Sequence, residues 1–383
     1  MKKITKIILS VLIGLMFIIL IAVLLRHFIA DFVIQKRMKH YNVPGLSYTV
    51  ISNYEIKKAR SFGVINNKTH KVVNSESIFQ AASTTKLLVS TIVLHYVENG
   101  VFSLTEDVNK YLKSWRIPES EFLDNKKITL FHLLTHQSGF NAPDGGLDWE
   151  NGSSPSLVEV LNGEKPAIND KAAIKYSPGK KWEYSNMGYI IVQLILEDVL
   201  GKPFPEIVKE IIFDPLEMNH STFTYPLESI YKENEAVPHN KQGEVEIALL
   251  HPKAYAQGGL LTTTMDLTKF HIELMKSYKG MSNKILSQSM MERLCKGEVD
   301  LDPDIFGGIQ FGEAMGLQVK VTDKGLFIFR IGYNTPGAGS CLAGYPSLGE
   351  GAVIMTNSAN GIDICIETMM LLGISNGWPN INK

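Results

Sequence analysis

From Ile7 to Leu25 the chain runs without a charge, between Lys2, Lys3 and Lys6 on one side and Arg26 on the other. At helical rise this stretch spans roughly 28 Å, about the thickness of a hydrocarbon core. Such a run cannot lie on the surface of a soluble fold, so it sets the architecture: an anchor followed by a separate folded domain. A cleaved signal peptide usually has a shorter apolar region and a small-x-small cleavage site. No clear Ala-x-Ala follows here, and no cysteine is placed to carry a lipid. The expectation is therefore an uncleaved, single-pass signal anchor over residues 7–25, within a segment 1–27, and a domain over 28–383. Charge alone leaves the orientation open, because Lys36, Arg37 and Lys39 also follow the span closely.

The 38 basic residues are matched by 39 acidic ones, so nothing in the balance suggests a nucleic-acid partner. With 45% hydrophobic residues, the domain has ample material for a large core. Cys295, Cys341 and Cys365 are odd in number and far apart, which gives neither a disulfide framework nor a metal-ligand spacing.

Local patterns place the elements. Phe28 to Met38 reads as an amphipathic helix ending before Asn42-Val43-Pro44-Gly45. Leu46 to Ser52 and Lys57 to Val64 read as strands of a hairpin turning at Asn53-Tyr54. From about Leu104 to Leu250 the pattern is mostly helical with long loops. Ile128 to Thr135 and Met187 to Leu200 are its clearest helices, the second stopping at Gly201. Strand-like runs return at Gly316 to Val321, Leu326 to Ile331 and Ala352 to Thr356, and a last apolar helix covers about Asp363 to Leu372. Strands at both ends with helices between predict an α/β (α+β) layer carrying a helical insertion. The sheet parts would be about 40–80 and 255–383, and the helical part about 81–254.

Within that frame, Ser83-Thr84-Thr85-Lys86 opens a helix that is apolar nearly all round, from Leu87 to Val97, and stops at Asn99-Gly100. Residues three apart share a helical face, so a hydroxyl and an amine would meet there. A buried amine can be held neutral and take the hydroxyl's proton, which makes a nucleophile. The same pattern is equally that of a helix N-cap serine. It also recurs at Ser177–Lys180, where Pro178-Gly179 signals a turn, and at Ser229–Lys232, which has no apolar run behind it. Tyr184-Ser185-Asn186 is the only Tyr-x-Asn in the chain. A tyrosine beside an ammonium can relay protons, and an asparagine amide can hold a lysine and a substrate amide together. His132 and His136 have helical i, i+4 spacing, but Leu133 stands where a metalloprotease needs glutamate. A structural, hydrogen-bonded pair is expected there, with no metal and no cofactor.

Several phrases, in order, resemble the serine β-lactamase and penicillin-binding protein superfamily in its class C-like branch. They are Pro44-Gly45 with its hairpin, Phe79 to Lys86, Ile128 to Gly139, Tyr176-Ser177-Pro178-Gly179 with Tyr184-Ser185-Asn186, Asp214 to Met218, and Gly258-Gly259-Leu260. The resemblance covers roughly residues 40–360. It implies an antiparallel sheet with flanking helices, a helical domain, and a site between them. It also implies a domain outside the cytoplasm, which orients the anchor. By carry-over, Ser83 is the acylated nucleophile, Lys86 its proton partner and Tyr184 a proton relay, while Asn186 orients Lys86 and substrate.

One element departs from the family. Its late strand carries Lys-Thr/Ser-Gly, or His-x-Gly in esterase-like members, and neither occurs in this chain. Arg330-Ile331-Gly332 is the positional match. There Gly332 would allow close backbone approach, and Tyr333 would share an oxyanion hole with the Ser83 amide. Arg330 would offer its fork to a substrate carboxylate. The expected function is a membrane-anchored serine hydrolase acting on cell-wall peptides or D-alanyl esters. An esterase of other substrates, a non-catalytic binding or sensor protein, and a class C-like β-lactamase are the alternatives.

Overall fold

The computed structural model describes residues 28–141, 154–246, 253–335 and 337–381, with Gly14 besides. The apolar run 7–25 expected to anchor the chain otherwise lies outside the described residues. No described helix is long and apolar enough to cross a membrane.

Helix α1 (28–40) buries Ala30, Ile34 and Met38, one residue per turn. Strands β1 (Gly45–Ser52) and β2 (Glu55–Asn66) form the expected hairpin. Asn53 and Tyr54 both have positive φ, as the favoured two-residue turn requires. Strands β3 (Lys71–Val72) and β4 (Ile78–Gln80) lead into a 3₁₀ turn at Ala82–Thr84 and helix α2 (Thr85–Glu98). Helices α3 (Leu130–Leu134), α4 (Leu157–Asn162), α5 (Asn186–Leu200), α6 (Phe204–Val208) and α7 (Ser229–Lys232) follow. Gly201 ends α5 at φ +65°. Strand β5 (Leu261–Thr263) pairs with β4, and helices α8 (Thr264–Tyr278) and α9 (Gln288–Leu294) return the chain to the sheet. The last elements are β6 (Val299–Asp300), β7 (Gly312–Glu313), β8 (Gln318–Thr322), β9 (Gly325–Asn334), β10 (Ala338–Tyr345), β11 (Glu350–Thr356) and α10 (Gly361–Asn376).

The main sheet is antiparallel, in the order β3-β2-β1-β11-β10-β9-β8-β7-β6. Its centre joins the N-terminal hairpin to the C-terminal strands through β1 and β11. Period-two alternation divides the core. Leu46, Tyr48, Cys341, Ala343 and Ile354 face α1 and α10. Ile328, Leu342, Val353 and Met355 face the helices that hold Leu87, Ile190 and Leu267. The α+β reading of the sequence matches this arrangement, apart from the anchor. Sequence reading passes over β10, whose run Ala338-Gly339-Ser340-Cys341-Leu342-Ala343-Gly344-Tyr345 lacks β-branched residues yet is buried throughout. Its small residues are there for close approach: a Cβ on Gly339 would stand 2.6 Å from the Cα of Gly361, where α10 begins.

Candidate active site

The segment before α2 is fixed from both sides. Strand β4 pairs with β5, and the Ala81 amide donates to the Leu260 carbonyl at 2.8 Å. Ser340 on β10 donates its hydroxyl to the Ala81 carbonyl at 2.6 Å and lies 2.7 Å from Thr84 Oγ1. Ala82, at the bend, has φ +49°, a conformation an alanine adopts only when its surroundings impose it. The bend carries Ser83 to the mouth of the fold while Lys86 stays wholly buried.

The helix-cap reading of Ser83 fails on geometry. The N-cap positions of the 3₁₀ turn and of α2 fall to Ala81 and Thr84, neither with a side-chain cap bond. The Ser83 hydroxyl instead lies 2.8 Å from Tyr184 Oη and accepts from Lys86 Nζ at 3.1 Å. Ser177, from the second Ser-x-x-Lys pattern, donates to the Phe122 carbonyl, and the third forms the short α7.

Tyr184 is held by the phrase around His136. Glu183 donates its amide to the His136 carbonyl at 3.0 Å, and the Ser185 amide donates to His136 Nδ1 at 3.2 Å. The His136 ring lies 4.4 Å, centroid to centroid, from that of Tyr184. Burial, Lys86 and Arg330 hold the His136 pKa well below the usual histidine range, so the ring is a neutral support. His132 turns elsewhere, to Thr129 Oγ1 at 3.2 Å. The two histidines are thus separately hydrogen-bonded. Among the described residues no group of three or more His, Cys, Asp and Glu is placed to hold a metal ion.

Burial sets the electrostatics. It brings the Lys86 pKa down to about 8, with Tyr184 opposing the fall and Arg330 adding to it. Burial alone would raise the Tyr184 phenol, but Lys86, Arg330 and the Ser83 hydrogen bond overcome it and leave the pKa lowered. Both groups are thus shifted toward easier loss of a proton, and the serine hydroxyl lies between them.

Two expected contacts take a different form. Asn186 opens α5 half-buried, and its amide makes no hydrogen bond among the described residues. Lys86 is held instead by the Gln257 carbonyl. Sequence reading missed Gln257, whose only signal is the adjoining Gly258-Gly259. Arg330 does not present its fork to the mouth. Strand alternation turns it inward with Ile328 and Gly332, leaving it 2% exposed. Its Nε donates to the backbone carbonyl of Ser83 at 3.0 Å, and Nη2 has no partner among the described residues. Gly332 sits where a Cβ would stand 2.3 Å from the Ala81 carbonyl oxygen and 2.8 Å from the Thr84 nitrogen. Tyr333 follows it, half-buried. The pairing of β8 with β9 ends at Gln318–Phe329, so from Arg330 onward β9 is paired, among the described residues, only through β10.

Ser83 thus comes within hydrogen-bonding distance of Lys86 and Tyr184, Lys86 fully buried and the other two half-buried, in a fold that joins a large antiparallel sheet to helices. Residues 30–364 match the Beta-lactamase family, and the chain belongs to it. It is similar to a Bacillus subtilis (strain 168) protein named "Putative penicillin-binding protein PbpX", with 27% identity over 268 residues, 68% of this chain and 61% of that protein. It is also similar to Protein flp of Staphylococcus aureus (strain MW2), with 24% identity over 276 residues, 68% of this chain and 53% of that one. The match thus spans little more than half the length of these curated relatives. The octameric penicillin-binding protein homologue from Pyrococcus abyssi superposes with a TM-score of 0.74 at 25% identity, over 92% of this chain and 78% of that one. D-alanine carboxypeptidase AmpC from Burkholderia cenocepacia shares the fold, with a TM-score of 0.68 at 20% identity, over 88% and 95% of the two chains.

Proposed function

We propose that this protein is a membrane-anchored serine hydrolase, working through an acyl-enzyme on Ser83 at the outer face of the cell membrane. The observation that carries the reading is the Ser83 hydroxyl held between Lys86 Nζ at 3.1 Å and Tyr184 Oη at 2.8 Å, with no helix-capping role. Neutral Lys86, paired with Tyr184, takes the Ser83 proton as Oγ adds to the substrate carbonyl. The Ser83 and Tyr333 amides hold the resulting oxyanion. Tyr184 gives its phenolic proton to the leaving group as the bond from the carbonyl carbon to that group breaks and is reprotonated by Lys86, and water or another acceptor then releases the acyl group. Asn186, its amide uncommitted, orients the substrate. The uncharged run 7–25 supports the anchor and, with it, cell-wall peptides or D-alanyl esters as substrates.

A specific observation favours a second reading, hydrolysis of neutral esters. Arg330 rests on the Ser83 carbonyl and is 2% exposed, so it is not free to receive a substrate carboxylate. Relative turnover of a small neutral ester and of a D-alanyl-D-alanine peptide separates the two. The cell-wall reading requires the peptide or a D-alanyl ester to be cleaved, and loss of that cleavage in Ser83→Ala. Turnover of the neutral ester alone leaves the esterase.

A further inference from the structure

The mechanism above makes no use of a buried carboxylate whose turn packs against the helix that carries Lys86. Glu313 ends β7 and is fully buried. It pairs across the ladder with Gln318, whose Nε2 donates to its Oε2 at 2.9 Å. The connection between them passes Gly316 at φ +81°, where a Cβ would stand 2.6 Å from Ser90 Oγ and 2.9 Å from the Lys86 carbonyl oxygen. The turn is therefore seated on the same stretch of α2 that carries Lys86. Glu313 Oε1 and Arg330 Nη2 are both buried, and neither has a hydrogen-bond partner among the described residues. A sequence selected for stability alone would not bury a carboxylate and a guanidinium in this state, since each unsatisfied atom is costly. Arg330 stays charged in any environment and needs a counter-charge to remain on the nucleophile's backbone.

We propose that Glu313 is a positioning residue for the Ser83 centre, its carboxylate balancing Arg330 and so holding the guanidinium on the Ser83 carbonyl beside Lys86. This rests on the acyl-enzyme reading of Ser83. Among the described residues, the charged and titratable groups whose fields couple to Glu313 are Arg330 from β9, Lys86 from α2 and Tyr189 from α5, none of them in direct ion-pair contact with it. Burial raises the Glu313 pKa to about 7, with Arg330, Gln318 and Lys86 pulling it back. The balance therefore switches on as pH rises through neutrality.

The test is the rate at which a fluorophosphonate probe labels Ser83 in the full chain, at about pH 5.5 and about pH 8.5, where Glu313 is mostly protonated and mostly charged. Glu313→Gln is expected to slow labelling on the order of tenfold at the higher pH and less than about twofold at the lower. In an Arg330→Gln background the same substitution is expected to change the rate less than about twofold at either pH. Equal slowing at both pH values, full additivity with Arg330→Gln, or no change at the higher pH overturns the inference. Where Glu313→Gln does not fold, Glu313→Asp against Glu313→Asn makes the same charge comparison. A wild-type chain that no probe labels at Ser83 overturns the acyl-enzyme reading itself, and the role of Glu313 with it.

Discussion

Gly332→Ala tests whether the strand beside Ser83 is as close as the chemistry requires. The added Cβ would meet the Ala81 carbonyl oxygen at 2.3 Å, Ser340 Oγ at 2.7 Å and the Thr84 nitrogen at 2.8 Å. Non-bonded carbon contacts settle near 3.5 Å or beyond, so β9 and the Ser83 turn must part by about 1 Å. Two of the three obstacles are backbone atoms, so swinging the Ser340 hydroxyl aside would not relieve the clash. Overpacking of this kind costs about 1–3 kcal/mol of stability. The proposed mechanism requires a larger functional loss, because it assigns the Tyr333 amide to the oxyanion, and losing one such donor lowers turnover by about a hundred- to a thousand-fold. The assay is single-turnover acylation by a small ester, alongside a thermal melt. Gly201→Ala is the control: it also burdens a glycine, at φ +65°, but nothing lies within 4 Å of its Cβ and it is remote from Ser83. That variant should lose about 1 kcal/mol and acylate at the wild-type rate. A Gly332→Ala protein that acylates within about threefold of wild type would refute the oxyanion geometry.

Three further outcomes follow from the site. Acylation should rise with pH through a midpoint near 8, since the neutral form of Lys86 takes the proton and its pKa is about 8. Because Lys86 and Tyr184 titrate together, that midpoint belongs to the pair, and a flat profile between about pH 6 and 9 would exclude it. Glu313 carries a pKa raised from 4.5 to about 7, so its contribution to stability is full below 4.5 and is lost as pH rises through 7. Urea unfolding should show Glu313→Gln gaining up to about 3 kcal/mol on wild type between acid and alkaline conditions; a pH-independent difference would contradict this. Ser340→Ala removes the bonds from β10 to Ala81 and Thr84 and should cost about 1–3 kcal/mol with slower acylation, which an unchanged urea midpoint would disprove.

Much of this was legible in the sequence, for identifiable reasons. The hairpin at Asn53-Tyr54 and the helix ending at Gly201 announce themselves through turn and stop chemistry. Helix α2 shows in its apolar surround, and Ser83, Lys86 and Tyr184 show because short spacings and a unique triplet mark them. Strand β10 did not show, because Gly339 is fitted to α10, Ser340 to the Ser83 turn and Gly344 to Gly351 and His271 rather than to β propensity. Gln257 acts through its carbonyl, a group every residue has, so no side-chain pattern can reveal it. Arg330 was visible as a charge on the right strand, but its inward turn depends on the register of β9 against β10. Glu313 lies in a two-residue strand, and only the folding of its turn onto Lys86 brings it to the site.

The central claim is that Ser83 carries the acyl group. Intact-protein mass spectrometry with peptide mapping, after exposure to a fluorophosphonate and separately to cell-wall fragments, reads this directly. The account predicts one adduct on the peptide containing Ser83, absent from Ser83→Ala and strongly diminished in Lys86→Ala. No adduct with either reagent, or an adduct that persists in Ser83→Ala, would contradict it.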